Sequence, residues 1–172
     1  EREGWVPRFA ARLGGNARLV NLGVSGSTIA QAIEEQLGPA LDAGPSLVTI
    51  WLAVNDLNAK VPLEHYERDL DRMVGAISAP DRCVMVANVP DLTRAPAYAG
   101  VDPSTLRILV ARWNTSIAQV AERYRAHLVD LNARWGMIAD NTDLLSADGF
   151  HPNSAGYEQL ATLFAEEYQR AC

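Results

Sequence analysis

The chain has 172 residues, of which 48% are hydrophobic and 21% charged. That is enough for one domain with a sizeable core, and too apolar for a disordered chain. A formal net charge of -6 argues against a general affinity for nucleic acid or an anionic membrane surface, and no apolar run approaches the ~20 residues needed to span a bilayer.

In chain order, Trp5, Phe9 and Leu13 share one helical face, which stops at Gly14-Gly15. Ala17 to Leu22 reads as a short strand ending at Gly23. Ser27 or Thr28 then caps a helix carrying Ile29, Ala32, Ile33 and Leu37. Ser46 to Ala53 (SLVTIWLA) is a continuous apolar run rich in β-branched residues, the pattern of a strand buried on both faces of a parallel sheet. Pro62 to Ile77 is helical, and Cys83 to Val89 (CVMVANV) is the next buried strand. Asp91 to Pro103 has no clear period. Leu106, Leu109, Val110, Trp113, Ile117, Val120 and Tyr124 recur as the stripe of a long amphipathic helix. His127 to Leu131 reads as a last short strand, and a final helix from Ser154 buries Tyr157, Leu160, Ala161, Phe164 and Tyr168. Strands alternating with helices predict one α/β domain over residues 1–172, with a parallel sheet between layers of helices. Two cysteines do not make a disulfide framework; Cys83 and Cys172 read as unrelated thiols, with a single bridge as the alternative.

Ligands of open α/β sheets bind beyond the carboxyl ends of the strands. The residues there are Gly23 with Ser25 and Ser27, then Asn55 and Asp56, then Asn88 to Arg94, and lastly Asp148-Gly149-Phe150-His151-Pro152. A carboxylate three residues before a histidine on a glycine-containing turn can reach the imidazole, fix its tautomer and stabilise the imidazolium formed on proton transfer. A solvated His151 on a plain loop is the alternative on spacing alone. Asn55, after a buried strand, either caps a turn or donates its amide to a developing oxyanion. Gly23 either serves backbone freedom or lets its N–H approach the same oxyanion. His65 and His127 read as surface residues. No pair of His or Cys has metal-ligand spacing, so neither a metal nor another cofactor is expected.

Asn21 to Ser27 (NLGVSGS), Leu52 to Leu57 (LAVNDL) and Asp148 to Pro152 (DGFHP) together resemble three ordered blocks of the SGNH hydrolase superfamily, the GDSL lipases and esterases. The resemblance implies a three-layer α/β/α sandwich of flavodoxin-like type. It implies Asp148 and His151 as catalytic acid and base, with Gly23 and Asn55 in the oxyanion hole. Ala53 stands where the family usually has Gly. The family's Gly-Asp-Ser block, which carries the nucleophile after a central first strand, has no counterpart here. Since the chain starts at Glu1 and a central strand is indispensable to the sheet, the expectation is an incomplete N-terminus. A preceding segment would bring both strand and serine; Ser25, Ser27 and Ser146 are weaker substitutes. The expected substrate is a carboxylic ester with a short acyl or lipid-like group, with Ala53, Val54, Leu92 and Phe150 as candidate contacts; Arg94 either binds an acidic group or is simply solvated. A carbohydrate O-acetyl esterase and a non-catalytic binding domain are the alternatives. A cytoplasmic location is slightly favoured, and the expected incompleteness of the N-terminus leaves secretion open.

Overall fold

The computed structural model describes residues 4–15 and 17–172, which gather into two compact units. One comprises Val20–Val89 with Ala111–Val129; the other comprises the chain up to Leu19, Pro90–Val110 and Asp130–Cys172.

The first unit holds a three-stranded parallel sheet of order β1 (Leu47–Ile50), β2 (Cys83–Ala87) and β3 (His127–Val129). Leu47 lies opposite Cys83, and Met85 opposite His127. β2 is central, and Val84, Met85, Val86 and Ala87 are buried. β1 is expected to be buried on both faces, yet only Ile50 of its four residues is. Among the described residues it pairs with β2 alone, and a strand edge without a neighbour keeps part of its surface in water.

Local signals place the helices of this unit. Thr28 caps α2 (Ile29–Glu35), as expected, in a capping box closed by Gln31, and α3 (Leu37–Asp42) follows directly. Tyr66, Leu70, Met73, Val74 and Ile77 form the buried stripe of α5 (Leu63–Ile77), which follows the short helix α4 (Ala53–Asn58). α5 faces the C-terminal part of α6 (Pro103–Arg123), where Arg123 pairs with Asp71. Tyr66 and Trp113 rings lie 4.7 Å apart, the Ser116 hydroxyl donates to Glu67 at 2.8 Å, and the Tyr124 hydroxyl donates to Asp71 at 3.0 Å.

Three boundaries differ from expectation. Residues 17–22 form no strand; Leu19 and Val20 are exposed, and a β-prone run forms a strand only where a partner completes its ladder. The apolar run from Ser46 yields only four strand residues before the chain turns into α4. β3 stops at Val129, because Asp130 accepts from Ala133 N–H and starts α7 (Leu131–Arg134). Cys83 and Cys172 are both disulfide-bonded and neither is a free thiol, correcting the reading as unrelated thiols; separation along a chain says nothing about proximity in the fold.

In the second unit, α1 (Trp5–Arg12) packs on α9 (Ser154–Ala171). Trp5 stacks on Phe164 with centroids 4.0 Å apart, and Arg8 and Arg12 both pair with Glu158. Trp135 and Ile138, around the short helix α8 (Gly136–Ala139), add to this core. On α9, Leu160, Ala161 and Phe164 are buried as expected, and Leu163 joins them, whereas Tyr157 and Tyr168 are half-exposed. Asn153 caps α9 by accepting from the N–H groups of Ala155 and Gly156 at 3.0 and 3.1 Å. Its amide donates to the carbonyls of Asp143 and Leu145 at 2.7 and 3.1 Å. No helix among the described residues is long and apolar enough to cross a membrane.

A Cβ on Gly156 would stand 2.3 Å from the Leu144 carbonyl oxygen and 2.7 Å from Pro152 Cβ. Gly156→Ala is therefore expected to destabilise the protein by about 1–3 kcal/mol. Gly38→Ala, where a Cβ meets nothing within 4 Å, is expected not to. Equal melting temperatures for the two variants would contradict this packing.

Candidate functional site

Asp148 organises the loop that leads into α9. One carboxylate oxygen accepts from the N–H groups of Phe150 and His151 at 2.9 and 3.0 Å, and the other lies 2.7 Å from His151 Nδ1. Ser146 N–H donates to the His151 carbonyl at 2.7 Å, and Gly149 N–H to the Ser146 carbonyl at 3.0 Å. Leu145 and Pro152 form an antiparallel bridge. The loop is thus a closed turn held by its own backbone and one side chain. The hydrogen bond to His151, helped by Phe150 N–H, holds the Asp148 carboxyl down at about 2. With Nδ1–H donating to this ionised carboxylate, Nε2 is left as the acceptor of the neutral ring. Both side chains are half-exposed or more, at 61% for His151 and 50% for Asp148, so the pair is open to a reacting partner.

Gly149 adopts a φ of +68°, and a Cβ there would meet Pro96 Cβ at 2.9 Å, so glycine is required on both counts. Its carbonyl accepts from Ala97 N–H at 3.3 Å. The Phe150 ring stands edge-on to Tyr98 at 5.6 Å and to His151 at 4.8 Å. The aperiodic segment therefore supplies a brace, a short 3-10 turn at Pro96–Tyr98, for the loop bearing the histidine.

In the first unit, Asn55 sits in the first turn of α4 rather than at a strand tip, and its amide donates to the Ser27 carbonyl at 2.9 Å. One N–H of that NH2 group is used and the other remains. Gly23 N–H donates to Asn21 Oδ1 at 3.1 Å, so its single proton is taken up locally. The glycine that the structure sets beside the Asn55 contact is Gly26, one residue before Ser27. It has a φ of +78°, in a turn closed by Ser27 N–H donating to the Val24 carbonyl at 3.2 Å. Sequence reasoning missed Gly26. Its signal is a glycine just ahead of the Ser27/Thr28 helix cap, where a sharp entry turn needs left-handed backbone.

Asp56, next to Asn55, is fully buried. Its Oδ2 accepts from Ile29 N–H at 2.9 Å, at the start of α2, while its Oδ1 is buried with no hydrogen-bond partner among the described residues. Burial pushes its carboxyl up to about 6, against the opposing pull of the Ile29 N–H, and Asp69 adds to the rise. Burial and then Asp56 push the Tyr66 phenol upward in turn.

Of the expected substrate contacts, Ala53 and Leu92 are fully buried and Val54 nearly so; all three serve the core, as apolar residues beside a strand end often do. Phe150 keeps part of its surface. Arg94 holds Asp140 at 2.5 Å and Asp91 at 3.3 Å, so its charge is already matched. The hydroxyls of Ser27 and Ser146 donate to the carbonyls of Thr28 and Pro152 at 3.3 and 3.2 Å rather than to a general base. His65 is exposed and His127 is half-buried in β3. Among the described residues no group of three His, Cys, Asp or Glu is placed to hold a metal ion.

No curated protein matches the chain at the sequence level. Solved structures do. TesA is 24% identical with a TM-score of 0.77, covering 99% of this chain and 90% of its own. LAE5, an alpha/beta hydrolase enzyme from the metagenome of Lake Arreo, Spain, is 22% identical with a TM-score of 0.81 over 99% and 83%. Axe2, an acetylxylan esterase from Geobacillus stearothermophilus, is 22% identical with a TM-score of 0.78 over 95% and 80%. These likenesses establish the fold as an α/β fold with a parallel sheet shared with these proteins. The model of the GDSL-like lipase/acylhydrolase family matches residues 1–159, and the chain belongs to that family.

Proposed function

We propose that the protein hydrolyses carboxylic esters through a serine nucleophile, with His151 as general base and Asp148 as the acid that orients it. The observation that carries this reading is the 2.7 Å contact between Asp148 and His151 Nδ1, in a loop whose other bonds favour that one imidazole orientation. In the proposed reaction His151 Nε2 takes the serine proton as the serine oxygen attacks the ester carbonyl carbon. The tetrahedral intermediate expels the alcohol, which leaves with the proton from His151, and water then releases the acid by the same steps in reverse roles. Asn55 donates to the oxyanion through its second amide N–H. A backbone N–H of the turn at residues 23–27 joins it; Gly26 stands next to the Asn55 contact, whereas Gly23 serves only if Asn21 releases it.

In this reading residues 1–172 belong to a single hydrolase domain, and the serine lies on a segment of the same protein outside them. Two observations support that placement. The outer edge of β1 carries no strand among the described residues, and Val20 and Val24, in and just after the stretch expected to be a strand, are exposed at 44% and 52%. A strand between them would satisfy both ladders at once. The short aromatic surface of Tyr98 and Phe150 suits a short acyl group or an acetyl ester. A sugar O-acetyl ester would engage the same residues, and p-nitrophenyl acetate, longer-chain esters and acetylated xylan compared in one assay separate these substrates.

In the complete protein His151→Ala is expected to lower kcat by about 10²–10⁴; esterase activity within tenfold of wild type would overturn the assignment. Asp148 has a folded value near 2, below its ordinary 3.8, so its contribution to stability is complete above about pH 4 and is lost as pH falls through 2. Asp148→Asn should therefore lower the melting temperature at pH 7 by an amount that shrinks as pH falls through 2, while kcat at pH 7 falls by about 10²–10⁴. A pH-independent difference in melting temperature would contradict the ionised Asp148–His151 pair.

A further inference from the structure

We infer that Asp56 is a positioning residue of the oxyanion hole, acting through the turn that Asn55 grips. This rests on the ester-hydrolase reading above. Two consecutive side chains reach the same short stretch of backbone. Asn55 donates to the Ser27 carbonyl at 2.9 Å, and Asp56 accepts from the Ile29 N–H at 2.9 Å. Between those two points lies Thr28, the cap of α2, whose own N–H donates to Gln31 Oε1 at 2.9 Å. The chain is held on both sides of its cap, and the Gly26-Ser27 end of the turn is fixed against the Asn55 amide.

Stability alone does not account for the carboxyl group. Asp56 has no exposed surface, and among the described residues only one of its two oxygens finds a partner. An apolar side chain of the same size would fill the space without burying an unsatisfied acceptor. The charged and titratable neighbours, Asp69 and Tyr66 on α5, offer the carboxylate no cation. What Asp56 uniquely supplies is an acceptor aimed at the first N–H of α2, which fixes where that helix begins and hence where the turn before it ends. An oxyanion hole depends on such placement, since a displacement of about 1 Å can cost as much as 10² in rate.

The test uses the complete, active protein with kcat and KM measured separately. Asp56→Leu keeps the branched shape and removes the acceptor; it is expected to lower kcat roughly ten- to hundredfold with KM within about threefold. Asp56→Asn keeps an oxygen for Ile29 N–H and is expected to recover kcat to within about fivefold. In an Asn55→Ala background Asp56→Leu should cost less kcat than in the wild type, because the turn that Asp56 fixes then lacks the amide it is held against. Additive losses, or a Leu variant with wild-type kcat, would overturn the inference. Should Asp56→Leu fail to fold, Gln31→Ala loosens the same cap from its exposed side and is expected to lower kcat about two- to fivefold at unchanged KM; an unchanged kcat there counts against it. Absence of esterase activity from the wild-type protein would defeat the functional reading itself, whereas loss of activity in His151→Ala with none in Asp56→Leu defeats this inference alone.

Discussion

The Asp148 carboxylate does three things with two oxygens: it closes a turn through two backbone N–H groups, orders the imidazole that follows, and stays ionised while doing so. Everything around it is compatible with that one geometry. Gly149 occupies a left-handed conformation under Pro96, Phe150 is braced by Tyr98, and Pro152 hands the chain to Asn153, which caps α9. The bonds that set the His151 tautomer all lie within a few residues of it, which is why the pairing already shows in the spacing of acid and histidine.

The same locality explains what is legible in the sequence. The helices at Trp5, Thr28, Pro62, Pro103 and Ser154 are visible because caps and apolar stripes are local signals. The strand expected from Ser46 is too long because the run stays apolar while the backbone turns into α4: Ala53 and Val54 are buried in a helix, and period cannot separate a buried strand from a buried helical turn. Residues 17–22 have β-prone composition and no strand structure. Strand formation depends on a partner, which sequence pattern does not display.

The site follows the same division. Asp148 and His151 meet as expected, because their contact spans three residues. The proposed oxyanion donors are legible only in part. Asn55 bonds to the turn at Ser27, but whether Gly23 or Gly26 would present its N–H depends on the Asn21 side chain and on a left-handed residue whose conformation no composition rule reveals. Asp56 is singled out in the sequence only by its place beside Asn55 after the strand; its burial and its bond to Ile29 N–H become visible in the fold. Ala53, Val54 and Leu92 show the same limit, since apolar residues near a strand end serve either core or pocket and here serve the core.

The central claim is that His151 activates a serine carried outside residues 1–172. Labelling the complete protein with a fluorophosphonate and locating the adduct by peptide mass spectrometry tests it most directly. The account predicts one modified serine, outside residues 1–172, whose labelling disappears in His151→Ala. An adduct on Ser25, Ser27 or Ser146 would contradict it, as would a complete protein that takes up no label.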